Sequence, residues 1–136
     1  MTDAKAATLV EVPGSLRATA THGGQQEEFK EEGTVSYRYV SDAGLRFLDS
    51  RPVNGFRMNI GVSVDTGTGV HVINNVTTDA LVIFRGSRTN TVAGVMRVDQ
   101  NDADGLSGAF NGTTTLNGIE FEISCTEFKI DTTGNK

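Results

Sequence analysis

Apolar and polar residues alternate along much of the chain with a period of two. From Phe56 to Asp65, Phe56, Met58, Ile60, Val62 and Val64 alternate with Arg57, Asn59, Gly61, Ser63 and Asp65. A strand sends such alternating side chains to opposite faces, whereas a helix would scatter them around its circumference. Ile119, Phe121, Ile123 and Cys125 alternate in the same way with Glu120, Glu122, Ser124 and Thr126. Val35, Tyr37 and Tyr39 do so with Ser36 and Arg38. These three segments predict strands with one face buried.

Further strands are predicted at Thr8–Val12, Ser15–Thr21, Leu45–Asp49, Val70–Ile73, Leu81–Arg85, Thr91–Val98 and Leu106–Phe110. Their Val, Ile and Thr content suits a pleated surface. Ala80–Phe84 is apolar on both faces and predicts a central strand covered on each side. Turns are expected at Asn54-Gly55, Asn111-Gly112, Asn117-Gly118, Pro13-Gly14 and across Asp65–Gly69. In the last strand the apolar positions are odd-numbered up to Cys125 and even-numbered at Phe128 and Ile130. One extra residue near Thr126, a β-bulge, restores the phase. Helix content is expected below ~10%. The one helical candidate, Gln25–Glu32, surrounds Phe29 with charge and lacks a packing stripe, so it reads as a loop, a solvated turn or an acidic edge strand.

The expectation is therefore an all-β domain, an antiparallel β-sandwich or closed β-barrel of about 8–10 strands. The 136 residues suit one domain over 1–136, with loose ends at 1–7 and 132–136. Gly94 and Gly108 fit either a barrel with a cavity or closely packed strands.

Charge narrows the partners. The net charge is -5, and residues 1–35, 36–100 and 101–136 carry nets of -3, +2 and -4. All seven basic residues of the middle segment are arginines. An acidic chain without clustered Lys and Arg is a poor match for nucleic acid. No run approaches the ~18 apolar residues of a membrane helix. Met1-Thr2-Asp3-Ala4-Lys5 lacks the basic start and apolar core of a secretory leader, and Cys125 is the one cysteine, so a reducing cytoplasm is expected.

Catalytic and metal-binding patterns are thin. His22 sits in a Gly-rich turn and His71 in a strand, with no ligand pair at metal-binding spacing, so both read as structural. Cys125 shares a face with Ile119, Phe121 and Ile123, which predicts a buried and unreactive thiol. The acidic run Asp99–Gly105 resembles a calcium loop through Asp99, Asp102 and Asp104. In the register that fits, however, Asn111 stands where the closing Glu belongs. Asp65-Thr66-Gly67 after an apolar strand resembles the signature of aspartic proteases, whose retroviral type are small all-β homodimers. That resemblance implies Asp65 as a catalytic carboxylate shared between two copies. Thr68 departs from the Ser or Ala that usually follows, and Val92-Ala93-Gly94 lies too close to serve as the second signature.

No cofactor and no metal are expected. The leading functional expectation is a non-enzymatic binding or self-assembling module. Its expected contacts are Arg–carboxylate pairs drawn from Arg57, Arg97, Glu120 and Glu122 in a homo-oligomer. The alternative is a small barrel enclosing an apolar small molecule, as carrier or as cofactor-free isomerase or cyclase. An aspartic-protease-like hydrolase is the remote third.

Overall fold

The computed structural model describes residues 9–133. Ten strands alternate with short turns: β1 (Val10–His22), β2 (Gln25–Val40), β3 (Leu45–Asp49), β4 (Phe56–Ser63), β5 (Gly69–Val72), β6 (Thr78–Phe84), β7 (Ser87–Arg88), β8 (Ala93–Asp102), β9 (Gly105–Leu116) and β10 (Ile119–Asp131). They form one sheet in the order β5-β8-β9-β10-β1-β2-β3-β4-β6-β7, with every pairing antiparallel. Among the described residues, strands account for 73% and helix for 1%.

The sheet curls into a barrel-like shape, and hydrogen bonds draw its distant strands together. Val92 N donates to Ala80 O at 2.8 Å and Thr89 N to Val82 O at 2.9 Å. Toward the other end, the Asn101 side-chain amide donates to Ser63 O at 2.8 Å and to Thr66 O at 2.9 Å. The inward faces meet in one apolar cluster that includes Leu16, Phe29, Leu48, Met58, Ile60, Met96, Leu106 and Phe128, each at most 1% exposed. Burial of such a side chain stabilises the fold by about 2 kcal/mol.

The three clearest alternating segments became β4, β10 and part of β2. The register between β9 and β10 shifts between Cys125 and Phe128, where the bulge was expected. Asn54-Gly55 and Asn117-Gly118 are tight turns with positive φ at all four residues, from 52° to 85°.

Other expectations are corrected. Pro13-Gly14 is no turn but lies inside β1, which fuses two expected strands, and Asn111-Gly112 lies inside β9. At both places a glycine stands where the neighbouring strand comes too close for a side chain. The same close approach explains Gly94 and Gly108: a Cβ on Gly94 would lie 2.7 Å from Gly112 Cα, and one on Gly108 2.9 Å from the Phe128 ring. These glycines let the strands pack closely. Of the three readings of Gln25–Glu32, the acidic edge strand is the one that holds: it forms the first half of β2, pairs with β1 and has no strand on its other side. Residues 1–7 and 134–136 of the expected loose ends lie outside the described residues. Thr132 is held, its N donating to Asp104 O at 3.0 Å and its hydroxyl to Ala103 O at 2.7 Å. Among the described residues no helix is long and apolar enough to cross a membrane.

Candidate functional site

β3 pairs with β2 only from Ser36 to Val40, so the earlier part of β2 has no strand on that side. Side chains close this gap. Glu27, Phe29 and Glu31 alternate with exposed Glu28 and Lys30 and so point inward, leaving both carboxylates 6% exposed. The segment between β3 and β4 folds over them. Arg51 donates its backbone N to Glu31 Oε2 at 2.7 Å and its Nη1 to Glu31 Oε1 at 3.3 Å. The Asn54 side-chain amide donates to Glu27 Oε1 at 2.8 Å. His22 Nε2 stands 3.0 Å from Glu27 Oε2. The hydrogen bonds from Asn54 and His22 hold the Glu27 carboxyl below its ordinary range. An ionised carboxylate only accepts, which places the His22 proton on Nε2.

The His22 ring rests against Phe56 at 5.0 Å and Phe121 at 4.9 Å, and Phe56 in turn meets Phe84 at 4.3 Å. His22 and Glu27 thus make a carboxylate-oriented histidine within an aromatic cluster. His71 is bonded through Nε2 to Gly67 O at 2.7 Å and braces the loop before β5. Sequence reading passed over the Glu27–His22 pair. The inward alternation of Glu27, Phe29 and Glu31 was visible, but charge on the inward side read as solvated surface.

A second feature lies on the outer face of β5, β8, β9 and β10. Val70 is 69% exposed, Val72 70% and Val95 43%. In the register Val72 lies beside Val95 and Val70 beside Arg97, so the three valines are neighbours. Val70 and Val95 border a shallow cleft of about 440 Å³ whose walls include Arg97, Ala109, Asn111 and Ser124. Asn111 pairs with Val95 on one side and Ser124 on the other. One row away on one side lies Arg97, and one row away on the other lies Glu122, with Glu120 beyond it.

Three of the four expected contact residues therefore share this face: Arg97, Glu120 and Glu122. Arg97 is bonded to Asp99 within its own strand, at 2.8 Å and 3.1 Å. Arg57 stands on the outer side of β4, four strands from β10 in the sheet order, and does not join them.

The remaining candidates do not converge. Asp99 is held by Arg97, and Asp102 Oδ1 accepts from Gln100, Asp104 N and Gly105 N in the turn between β8 and β9. Those turn bonds hold the Asp102 carboxyl below its ordinary range. Residues 100–111, the register in which the run resembles a calcium loop, form a hairpin, which carries Asn111 well along β9. Among the described residues no group of three or more His, Cys, Asp or Glu is placed to hold a metal ion. Asp65 is exposed in the turn after β4, its N donating to Ser63 Oγ at 3.2 Å. Cys125 is 2% exposed, and burial pushes its thiol up to about 12. No protein-family model, no curated protein and no solved structure matches this chain.

Proposed function

We propose that this protein is a non-enzymatic, self-associating module and that its contact surface is the outer face of β5, β8, β9 and β10. The exposure of three adjoining valines, Val70, Val72 and Val95, carries this reading. Large apolar side chains grouped on an outer face mark contact surfaces, whereas isolated ones do not. The face carries a single lysine, Lys129 near the end of β10, and no proline, so few of the residues that commonly guard sheet surfaces and edges stand on it.

Charge placement favours a second copy as the occupant. Asn111 lies midway between Arg97 and Glu122 in the register. A two-fold axis lying in the interface, crossing the Arg97–Glu122 line at Asn111, sets Arg97 of one copy against Glu122 of the other, twice. Such isologous contacts are the common route to homodimers. Exposed ion pairs contribute at most about 1 kcal/mol each, so they set orientation and the valines supply most of the affinity. The interior is filled by side chains such as Phe29, Met96 and Phe128, which favours the outside of the barrel over an enclosed ligand.

Light scattering tests the reading. At about 100 µM, a concentration suited to a small interface, the mass should approach twice the 14.5 kDa of one chain. The double variant Val70→Asp, Val72→Asp should stay at the mass of one chain. A wild-type mass of one chain at every concentration would overturn the proposal.

A further inference from the structure

A cleft of about 330 Å³ on the opposite side of the molecule carries a different kind of chemistry. It opens on the outer side of β2, β3 and β4, and three guanidinium groups border it: Arg38, Arg51 and Arg57. Two of them are held in place. Arg38 lies over the Phe47 ring at 4.2 Å and gives Nε and Nη2 to Asp49 at 3.1 Å and 3.5 Å, which leaves Nη1 for another acceptor. Arg51 bridges Glu31 at 3.3 Å and Glu11 at 3.1 Å. Arg57 is exposed and has no hydrogen-bond or ion-pair partner among the described residues. Leu9 and Pro52 add apolar wall beside it.

From this geometry we infer that the cleft binds a small carboxylate with a short apolar body, its carboxylate taken by Arg57 and Nη1 of Arg38, its body against Leu9 and Pro52. A planar guanidinium offers two parallel donors that match the two oxygens of a carboxylate. Glu11, Glu31 and Asp49 equal the three arginine charges in number, although they bond Arg51 and Arg38 and none bonds Arg57. The cleft therefore attracts through aimed donors, not excess charge, and suits one negative charge better than two. Its volume lies at the small end of ligand pockets, which points to a metabolite-sized acid.

Titration followed by amide chemical shifts tests this, with hexanoate as the probe and inorganic phosphate as its comparison, each up to about 20 mM, which covers the millimolar range. Hexanoate should shift Ser36, Ser50, Arg51 and Arg57 saturably, and phosphate more weakly. Arg57→Ala should weaken hexanoate binding by about tenfold or more, the loss of a charge-assisted pair. Arg57→Lys should fall between the two, and Arg88→Ala, which removes an exposed arginine from β7, should change nothing. The inference is overturned by shifts that do not saturate, by phosphate binding as tightly as hexanoate, or by an Arg88→Ala loss as large as that of Arg57→Ala. Unchanged binding in Arg57→Ala would overturn it as well. Because the cleft lies far from the valine face, these results stand apart from the oligomeric state.

Discussion

The sheet leaves two surfaces without a strand or layer against them, and the molecule treats them in opposite ways. Beside the first half of β2, where pairing with β3 has not begun, Glu27 and Glu31 turn inward and accept hydrogen bonds from Arg51, Asn54 and His22. Side chains there do the work of a missing strand. On the outer face of β5 and β8, Val70, Val72 and Val95 are left to solvent. A buried charge is costly unless it is fully partnered, so the first region must be complete within one chain. Exposed valines cost the folded chain little, so the second can await another molecule. On the proposed reading, it is the valine face that a partner would cover.

The sharpest way to break this contrast is to damage the closed region. Glu31→Ala leaves the Arg51 backbone N–H and Nη1 without their acceptor, while Nη2 keeps Glu11 and Thr34, and should lower stability by about 3 kcal/mol. A urea unfolding midpoint measures it. A loss no larger than that of an ordinary surface substitution, about 0.5 kcal/mol, would mean the gap beside β2 is not held by its carboxylates.

Glu27→Gln should cost less, about 1 kcal/mol, because the amide oxygen still accepts from Asn54 or His22. Its effect should depend on pH. Hydrogen bonds from Asn54 and His22 lower the Glu27 carboxyl in the folded state, so its stabilisation is full at neutral pH. That stabilisation is lost as the pH falls below about 4.3, the unfolded value, and on through the folded one. Thermal melts between pH 7 and pH 3, as an approximate span for carboxylate titration, should therefore show a shallower acid decline for the variant than for wild type. Parallel declines would contradict the assignment.

Thiol labelling sharpens the contrast from the other side. Cys125 contributes to the floor of the valine-bordered cleft, yet it is 2% exposed and its thiol is pushed up to about 12. Native protein should react with iodoacetamide at least about a thousandfold more slowly than unfolded protein at pH 8, since so little thiolate exists. Comparable rates would mean the face opens into the core. The smallest stability change belongs to the valines: Val72→Ser should alter the unfolding free energy by no more than about 0.5 kcal/mol while weakening association.

The sequence carried the architecture where local chemistry decided it. The alternation from Phe56 to Asp65 marked a strand, which ends at Ser63 and is buried at Asn59 and Gly61 as well as on its apolar side, and the phase change after Cys125 located the bulge. Asn54-Gly55 and Asn117-Gly118 made turns, but Asn111-Gly112 did not. In the last case Gly112 is needed because β8 passes too near for a Cβ, a demand set by curvature that no local motif reveals. Glu27 and Glu31 were obscured for a related reason. Whether a carboxylate faces water or the interior depends on what folds across it, and Asn54 lies 27 residues from Glu27 in the chain. Arg97, Glu120 and Glu122 were legible as charges of opposite sign, while their common face follows from the pairing of three strands.

The most direct test of the contrast is a dilution series followed by amide chemical shifts, from about 1 mM to about 10 µM, a range that spans dissociation of a small interface. The account predicts concentration-dependent shifts at Val70–Val72, Val95–Arg97 and Glu120–Glu122, with residues 50–56 unchanged. Spectra that do not change on dilution, or shifts that centre on residues 50–56, would contradict it.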